Sequence, residues 1–325
     1  MSGHLLEARG VEKHFFVRRG LRRATLRAVD GVSLHVDAGE TLGLVGESGC
    51  GKTTLGRTLL RLYEPTGGEV FFDGVRVDAK SIRALRRQMQ MVFQDPYSSL
   101  DPRMTAEELI GEALQIHHLC PTRAARRARV EELMALTGLD PAHARRYAHA
   151  FSGGQRQRIG IARALAVGAR FLVCDEPVSA LDASVRAQVL NTLMELQDTL
   201  GIAYLFISHD LAVVSRLSHR IAVMYLGRIV EIGTAQQIAQ APLHPYTRAL
   251  LAAAPPPDPV RARAQAAACP TGEAPSPLNA PQGCAFRPRC ALATERCARE
   301  RPELSPLEGG RLVACHACMT SRARG

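Results

Sequence analysis

The 325-residue chain is 46% apolar and carries a net charge of +10, enough for one large domain or a domain with an appendage. No apolar run approaches the roughly 20 residues of a membrane-spanning helix, and Glu7, Arg9, Glu12 and Lys13 stand where a secretory signal needs an apolar centre. A soluble, cytosolic chain is therefore expected, and its nine cysteines do not read as a disulfide framework.

The cations are almost all arginine, with lysine only at 13, 52 and 80. A basic balance suits nucleic acid or an anionic membrane, and equally solvated arginine on helices. Aromatic residues are only 5% and no basic block interleaves with them, which argues against a single-strand stacking platform.

In chain order, residues 5–17 and 28–36 read as strands, and 41–45 as a short apolar strand. The stretch that follows runs G-x-x-x-x-G-K-T over 46–53 and leads into a helix predicted over 52–62. This strand–loop–helix context is what a phosphate-binding loop needs. Gly46, Gly49 and Gly51 let successive N–H groups face one anion, and the helix start adds its positive end. Lys52 can reach the β- and γ-phosphates, and the Thr53 hydroxyl can ligate Mg²⁺. Cys50, inside the loop, is either a small residue that fits or an accessible, oxidisable thiol.

Beyond the loop, 69–72 and 75–77 read as strands joined by a tight Asp73-Gly74 turn, and 81–87 as a short basic helix. Residues 89–93 read as a strand ending at Gln94. From 105 to about 148 the pattern is helical only, with an arginine cluster best read as a solvated face. Phe151-Ser152-Gly153-Gly154-Gln155 opens a helix that Ser152 can cap. Residues 171–174 form an apolar strand ending in Asp175-Glu176, 184–200 a helix and 203–207 a strand ending in Ser208-His209-Asp210. Two β segments at 221–225 and 229–232 and a helix at 235–239 complete an α/β pattern with a largely parallel sheet. After 241 the chain turns Pro- and Ala-rich, with a triple proline at 255–257, and then Cys-rich. It reads as a linker and a small appended module.

In open α/β sheets the site lies beyond the carboxyl ends of the strands. Gly46, Gln94, Asp175-Glu176 and His209 all stand there. Asp175 suits the outer shell of Mg²⁺. Glu176 can orient a water for attack on the γ-phosphate, His209 can bond that phosphate or the water, and Gln94 can sense metal and water.

Taken together, the loop at 46–53, Gln94, Phe151 to Gln155, Asp175-Glu176, Ser179-Ala180-Leu181-Asp182 and His209 resemble, in order and spacing, the ATP-binding subunit of ABC transporters over about 1–240. The resemblance is closest to the F-type subunit of dipeptide and oligopeptide importers, through Gly46-Glu47-Ser48-Gly49-Cys50-Gly51-Lys52, Phe93 to Pro102, Phe151 to Ile159 and His244 to Leu251. Nickel and glutathione importers share most of these residues and remain alternatives.

The resemblance implies an α/β fold. A phosphate-loop NTPase (ABC ATPase) core with a helical subdomain at about 95–150 and an antiparallel β subdomain spans 1–240, and a small Cys-rich C-terminal extension spans 241–325. It implies ATP and Mg²⁺ as ligands. Phe15 (or Phe16) would stack on adenine, unless it is a core residue. The loop residues Gly46, Ser48, Gly49, Cys50, Gly51, Lys52, Thr53 and Thr54 would bind nucleotide, with Thr53, Gln94 and Asp175 at the magnesium and Glu176, His209 and Gln94 catalytic. Ser152, Gly153, Gly154 and Gln155 would act in trans on the ATP of a second subunit, with Asp182 at the dimer interface. The implied partners are a D-type ATPase subunit in a heterodimer, two membrane-spanning permeases received near 96–114, and an extracytoplasmic substrate-binding protein, with no nucleic acid. The chain would sit at the cytoplasmic face of the inner membrane.

Cys284, Cys290, Cys297 and Cys315 are separated by five, six and seventeen residues. These four lack both the C-x₂₋₄-C pair of zinc modules and the ferredoxin spacing. The tail resembles the C-terminal extension of peptide-importer ATPases, where four such cysteines can hold a [4Fe–4S] cluster. Cys269, His316 and Cys318 would then be spare or alternative ligands. A rival reading, a DNA-associated ATPase of the same superfamily, needs a long coiled-coil or zinc insert between loop and signature, and only 100 positions separate Lys52 from Ser152. A ribosome-associated member would need two nucleotide-binding units in one chain.

Overall fold

The computed structural model describes residues 3–19, 22–253, 275–279 and 281–320. Cys269 and the triple proline at 255–257 lie outside the described residues. The strands in chain order are β1 (Leu6–Arg19), β2 (Arg22–Val36), β3 (Thr41–Val45), β4 (Gly67–Phe72), β5 (Val75–Arg76), β6 (Met89–Val92), β7 (Phe171–Asp175), β8 (Ala203–Ser208), β9 (Arg220–Tyr225), β10 (Arg228–Thr234), β11 (Ser305–Pro306) and β12 (Leu312–Val313).

The chain divides into two compact units. The first comprises Met1–Leu5, Val36–Glu40 and Phe72–Ile207. Here β6, β7 and β8 run parallel, with Met89 opposite Phe171 and Phe171 opposite Ala203. β7 and β8 are buried along their whole length. A strand covered on both faces reads as a continuous apolar run, and Phe171 to Cys174 and Ala203 to Ile207 do so. The 105–148 segment forms helices Ala106–Ile116 and Arg123–Leu136, which bury Leu109, Ile110, Val130, Leu133 and Met134. Thr105 and Thr122 cap them by accepting from Glu108 and Ala125 N–H, so threonines mark both starts. Helix Ala183–Leu200 buries Val189, Leu193 and Leu196. Leu200 is exposed because the helix ends there, at Gly201 with φ 66°.

The second unit comprises Leu6–His35, Thr41–Phe71 and Ser208–Gly325. Its main sheet runs in the order β11-β12-β10-β9-β3. β3 and β9 are parallel, but β9–β10, β10–β12 and β12–β11 are antiparallel. The expectation of a largely parallel sheet is thus corrected here to a mixed one. β9 and β10 are joined by Leu226-Gly227, both at positive φ, which makes a tight hairpin rather than a crossover. β1, β2 and β4 lie in a second sheet in the order β2-β1-β4. β2 begins at Arg22, earlier than the expected start at 28, because Ala24, Leu26 and Ala28 alternate with Thr25 and Arg27 in a strand pattern that charge had masked. The helix predicted over 52–62 spans Lys52–Leu59. It stops where Arg61 turns left-handed at φ 51°, which leaves Leu62 exposed.

The tail is tied to this unit. Val313 pairs with Glu231 and Leu312 with Ile232, so β12 extends the main sheet. The fully buried Glu231 carboxylate accepts from Leu243 and His244 N–H at 2.9 Å each and from Arg311 at 2.7 Å. Among the described residues no helix is long and apolar enough to cross a membrane.

A phosphate loop, a strand-end carboxylate pair and a thiol cluster

In the second unit, β3 delivers the chain into the loop at Gly46. A Cβ at Gly46 would meet the Met224 carbonyl at 2.2 Å, and one at Gly51 the Ala28 carbonyl at 2.0 Å. Gly51 also stands at φ 109°, which excludes other residues on backbone grounds. Glu47 is half-buried and Ser48 and Gly49 are exposed, while Lys52 is buried with its ammonium donating to the carbonyls of Gly46 (2.7 Å) and Glu47 (3.0 Å). Thr53 and Thr54 are half-buried in the first turn of Lys52–Leu59, and Gly51 is its N-cap. Cys50 is 4% exposed and burial pushes its thiol pKa up, so the reading as an accessible, oxidisable thiol is overturned. Phe15 packs edge-on against Tyr63 at 5.6 Å beneath the Lys13 ammonium, whereas Phe16 is 80% exposed. His209 is exposed and precedes Asp210, whose carboxylate caps Leu211–Leu217.

In the first unit, Asp175 ends β7 and is buried. Glu176 follows at φ 44°, a left-handed conformation costly for a side chain of its kind. Its N–H donates to the Ile207 carbonyl at 3.0 Å, and its own carbonyl accepts from Ser179. The backbone is over-determined, which fixes where the carboxylate goes. Gln94, exposed after β6, donates to that carboxylate at 3.3 Å. The structure therefore brings Gln94 and Glu176 together.

The Phe151 to Gln155 segment also lies in this unit. Ser152 and Gln155 form a reciprocal capping box on helix Gly153–Leu165. Gly154 has a packing reason of its own, since a Cβ there would stand 2.0 Å from Val185 Cγ1. Gly153 is looser, 3.4 Å from Leu181. Asp182 is exposed and caps Ala183–Leu200. Its carboxylate is held below the usual range, first by the Val185 N–H and then by the Ser184 hydroxyl. A groove of 1110 Å³ runs between Ala106–Ile116 and Arg123–Leu136, lined by Glu107, Gly111, Gln115 and Arg127 among others.

The four tail cysteines form one neighbourhood. Burial chiefly raises the thiol pKa of Cys284 and of Cys290, and the charges of Cys297 and Cys315 act on both in the same direction. Cys284 N–H also donates to the Cys297 carbonyl at 2.8 Å. The Cys315 thiol pKa is pulled down, above all by hydrogen bonding from Cys318. Cys315-His316-Ala317-Cys318 is a C-x-x-C pair, which the spacing of Cys284, Cys290, Cys297 and Cys315 leaves out because it omits Cys318. Among the described residues, no three of these sulfurs lie within 4.8 Å of one another.

Comparison with known proteins decides the family. The ABC transporter profile matches residues 29–179, and the oligopeptide/dipeptide transporter C-terminal region profile matches 230–297. The chain is 52% identical to a probable peptide ABC transporter ATP-binding protein of Sinorhizobium fredii, over 97% of this chain and 90% of that one. The chain belongs to the ABC transporter ATP-binding family. An oligopeptide transport ATP-binding protein of Bacillus subtilis is 47% identical over 96% of this chain and 97% of its own. Among solved structures, the ATP-binding cassette MJ0796, dimeric and bound to ADP and Pi, matches with a TM-score of 0.63 at 27% identity, covering 71% of this chain and 98% of that one. The fold is the ABC ATPase fold with mixed α/β sheets, and ATP hydrolysis is the activity of this family member. Membrane permeases are its partners as an importer subunit.

Proposed function

We propose that this chain is the F-type ATP-binding subunit of a dipeptide or oligopeptide importer, paired with a D-type ATPase, two permeases and an extracytoplasmic binding protein at the inner face of the cell membrane. The observation that carries it is the co-occurrence of a phosphate loop with a tail matched as the oligopeptide/dipeptide transporter C-terminal region. Relatives named for peptide transport match along nearly the whole chain.

Each motif then has a chemical role. The loop N–H groups and Lys52 hold the phosphates, with Gly46, Ser48, Gly49, Cys50, Gly51 and Thr54 completing the cradle and Phe15 at the adenine. Thr53, Gln94 and Asp175 offer hydroxyl, amide and carboxylate oxygens, the donor set a hard cation takes. Bound Mg²⁺ would supply charge neutralisation at the phosphates. Glu176, with Gln94 on its carboxylate, orients and deprotonates the attacking water, and His209 bonds the γ-phosphate. Ser152, Gly153, Gly154 and Gln155 serve the partner subunit's ATP, and Asp182 lies at that interface. ATP binding closes the pair and hydrolysis opens it. The groove beside Ala106–Ile116 receives a permease helix.

Cys284, Cys290, Cys297 and Cys315, four cysteines that interact electrostatically, would be the sulfur donors of a [4Fe–4S] cluster. Bound there, it would cross-link the tail. Deleting the gene and restoring it tests the substrate class. Uptake of labelled di- or oligopeptide should be lost and recovered, and loss of nickel or glutathione uptake instead would refute the peptide reading.

A further inference from the structure

Glu47 is the second residue of the phosphate loop, and three of its groups are held. Its carbonyl accepts from Lys52 at 3.0 Å. Its N–H donates to the Tyr246 hydroxyl at 2.8 Å. Its carboxylate is clasped by Arg289, one guanidinium nitrogen to each oxygen at 3.0 Å. Two of the three holds therefore come from the C-terminal region, 199 and 242 residues further along the chain.

Those two side chains are themselves fixed. Tyr246 is fully buried, with its ring 4.5 Å from Tyr225 and 5.5 Å from Phe286. The side chain of Arg289 is 11% exposed, and its backbone lies in the short turn Arg287–Arg289, closed by Cys290. The fork-to-fork geometry is the one that orients a carboxylate as well as neutralising it. A free carboxylate inside a loop built to hold phosphates opposes the polyanion it should bind. The Glu47–Arg289 pair carries no net charge to oppose it with, and the carboxylate oxygens face Arg289 of the tail.

We propose that Arg289 and Tyr246 are positioning residues for ATP: the C-terminal module clasps Glu47, keeping the loop in shape and its one carboxylate neutralised. This rests on the reading that the loop holds the nucleotide. It gives the tail a role in nucleotide affinity.

The test is titration of the full-length chain with ATP and Mg²⁺. Arg289→Ala should weaken ATP about tenfold, and adding Glu47→Gln to it should bring affinity back to within about twofold, because the opposing carboxylate is gone. Glu47→Gln alone should bind no more weakly than the wild type. Tyr246→Phe, which keeps the packed ring, should weaken ATP a few-fold. Unchanged affinity in Arg289→Ala, or a double variant as weak as the single one, would overturn the proposal. Should Arg289→Ala not fold, wild-type affinity in Tyr246→Phe overturns it. Lys52→Ala serves as the reference: if it binds ATP like the wild type, the loop reading itself fails, however Arg289 behaves.

Discussion

The Arg311 guanidinium reaches the carboxylate of Glu231, which is 0% exposed, at 2.7 Å. Arg311 precedes β12, Glu231 sits in the middle of β10, and the two strands pair. Two backbone N–H groups, from Leu243 and His244, donate to the same carboxylate. Breaking a buried pair by removing one partner leaves an uncompensated charge, which costs about 3–5 kcal/mol. Arg311→Met should therefore lower the urea midpoint markedly. Replacing both residues, Arg311→Met with Glu231→Gln, should recover much of the loss. A midpoint unmoved by Arg311→Met would show that β12 contributes nothing to the stability of β10.

His244 provides a pH readout of the same corner. It is buried, and burial depresses its pKa to about 4. Its Nδ1 accepts from the Tyr246 N–H at 3.0 Å, which only the neutral ring can do. The unfolded chain takes up its proton near pH 6.5 and the folded chain near 4, so between these values the unfolded state holds more protons. Stability is then full above pH 6.5 and falls as pH drops toward 4, by an amount on the order of 3 kcal/mol from this group. Urea unfolding at pH 7 and pH 4.5 should show the drop, and His244→Asn should flatten it. An equal slope in both proteins would assign the pH dependence elsewhere.

Much of this molecule is legible in its sequence where a side chain's role is local. β3 falls at the predicted residues, and Ser152 caps the helix it was expected to cap. What escaped was non-local. Nothing in Ser305 to Val313 marks a strand until β10 offers an edge. Arg289 and Glu47 are 242 residues apart, and neither looks special without the other. The double glycine at 153–154 was half legible: a phosphate site accounts for both residues in the sequence, but only the structure shows that Gly154 also meets Val185.

That double glycine can be taken apart by mutation. Gly154→Ala puts a methyl 2.0 Å from Val185 Cγ1, and overpacking of this kind costs about 1–3 kcal/mol. Val185→Ala in the same chain should return stability to near wild type. Thermal unfolding measures the recovery. ATPase activity of the assembled importer reads the other role: if the segment also serves the partner's phosphates, the stable double variant stays slow. Full activity in the double variant would leave packing as the whole reason for Gly154.

For the tail cysteines, anaerobically purified protein should contain about four iron and four acid-labile sulfide per chain, and serine at Cys284, Cys290 or Cys297 should abolish both. Iron-free, sulfide-free, fully folded protein would remove the cluster from the proposed function.

Glu176 gives the sharpest test of the chemistry. Its carboxylate accepts from Gln94 at 3.3 Å, and its backbone is held left-handed by contacts on both sides. Glu176→Gln keeps the size and the hydrogen-bonding reach but loses the carboxylate proposed as the base. Hydrolysis by the assembled importer should fall by about 10²-fold or more, while ATP affinity stays within about twofold because no phosphate ligand has been removed. The variant should then accumulate in the ATP-bound, closed pair, seen as a slower release of bound nucleotide. Gln94→Ala should slow hydrolysis less, since it loosens the carboxylate without removing it. Near-normal turnover in Glu176→Gln would show that the water is oriented by another group, with His209 the next residue to substitute.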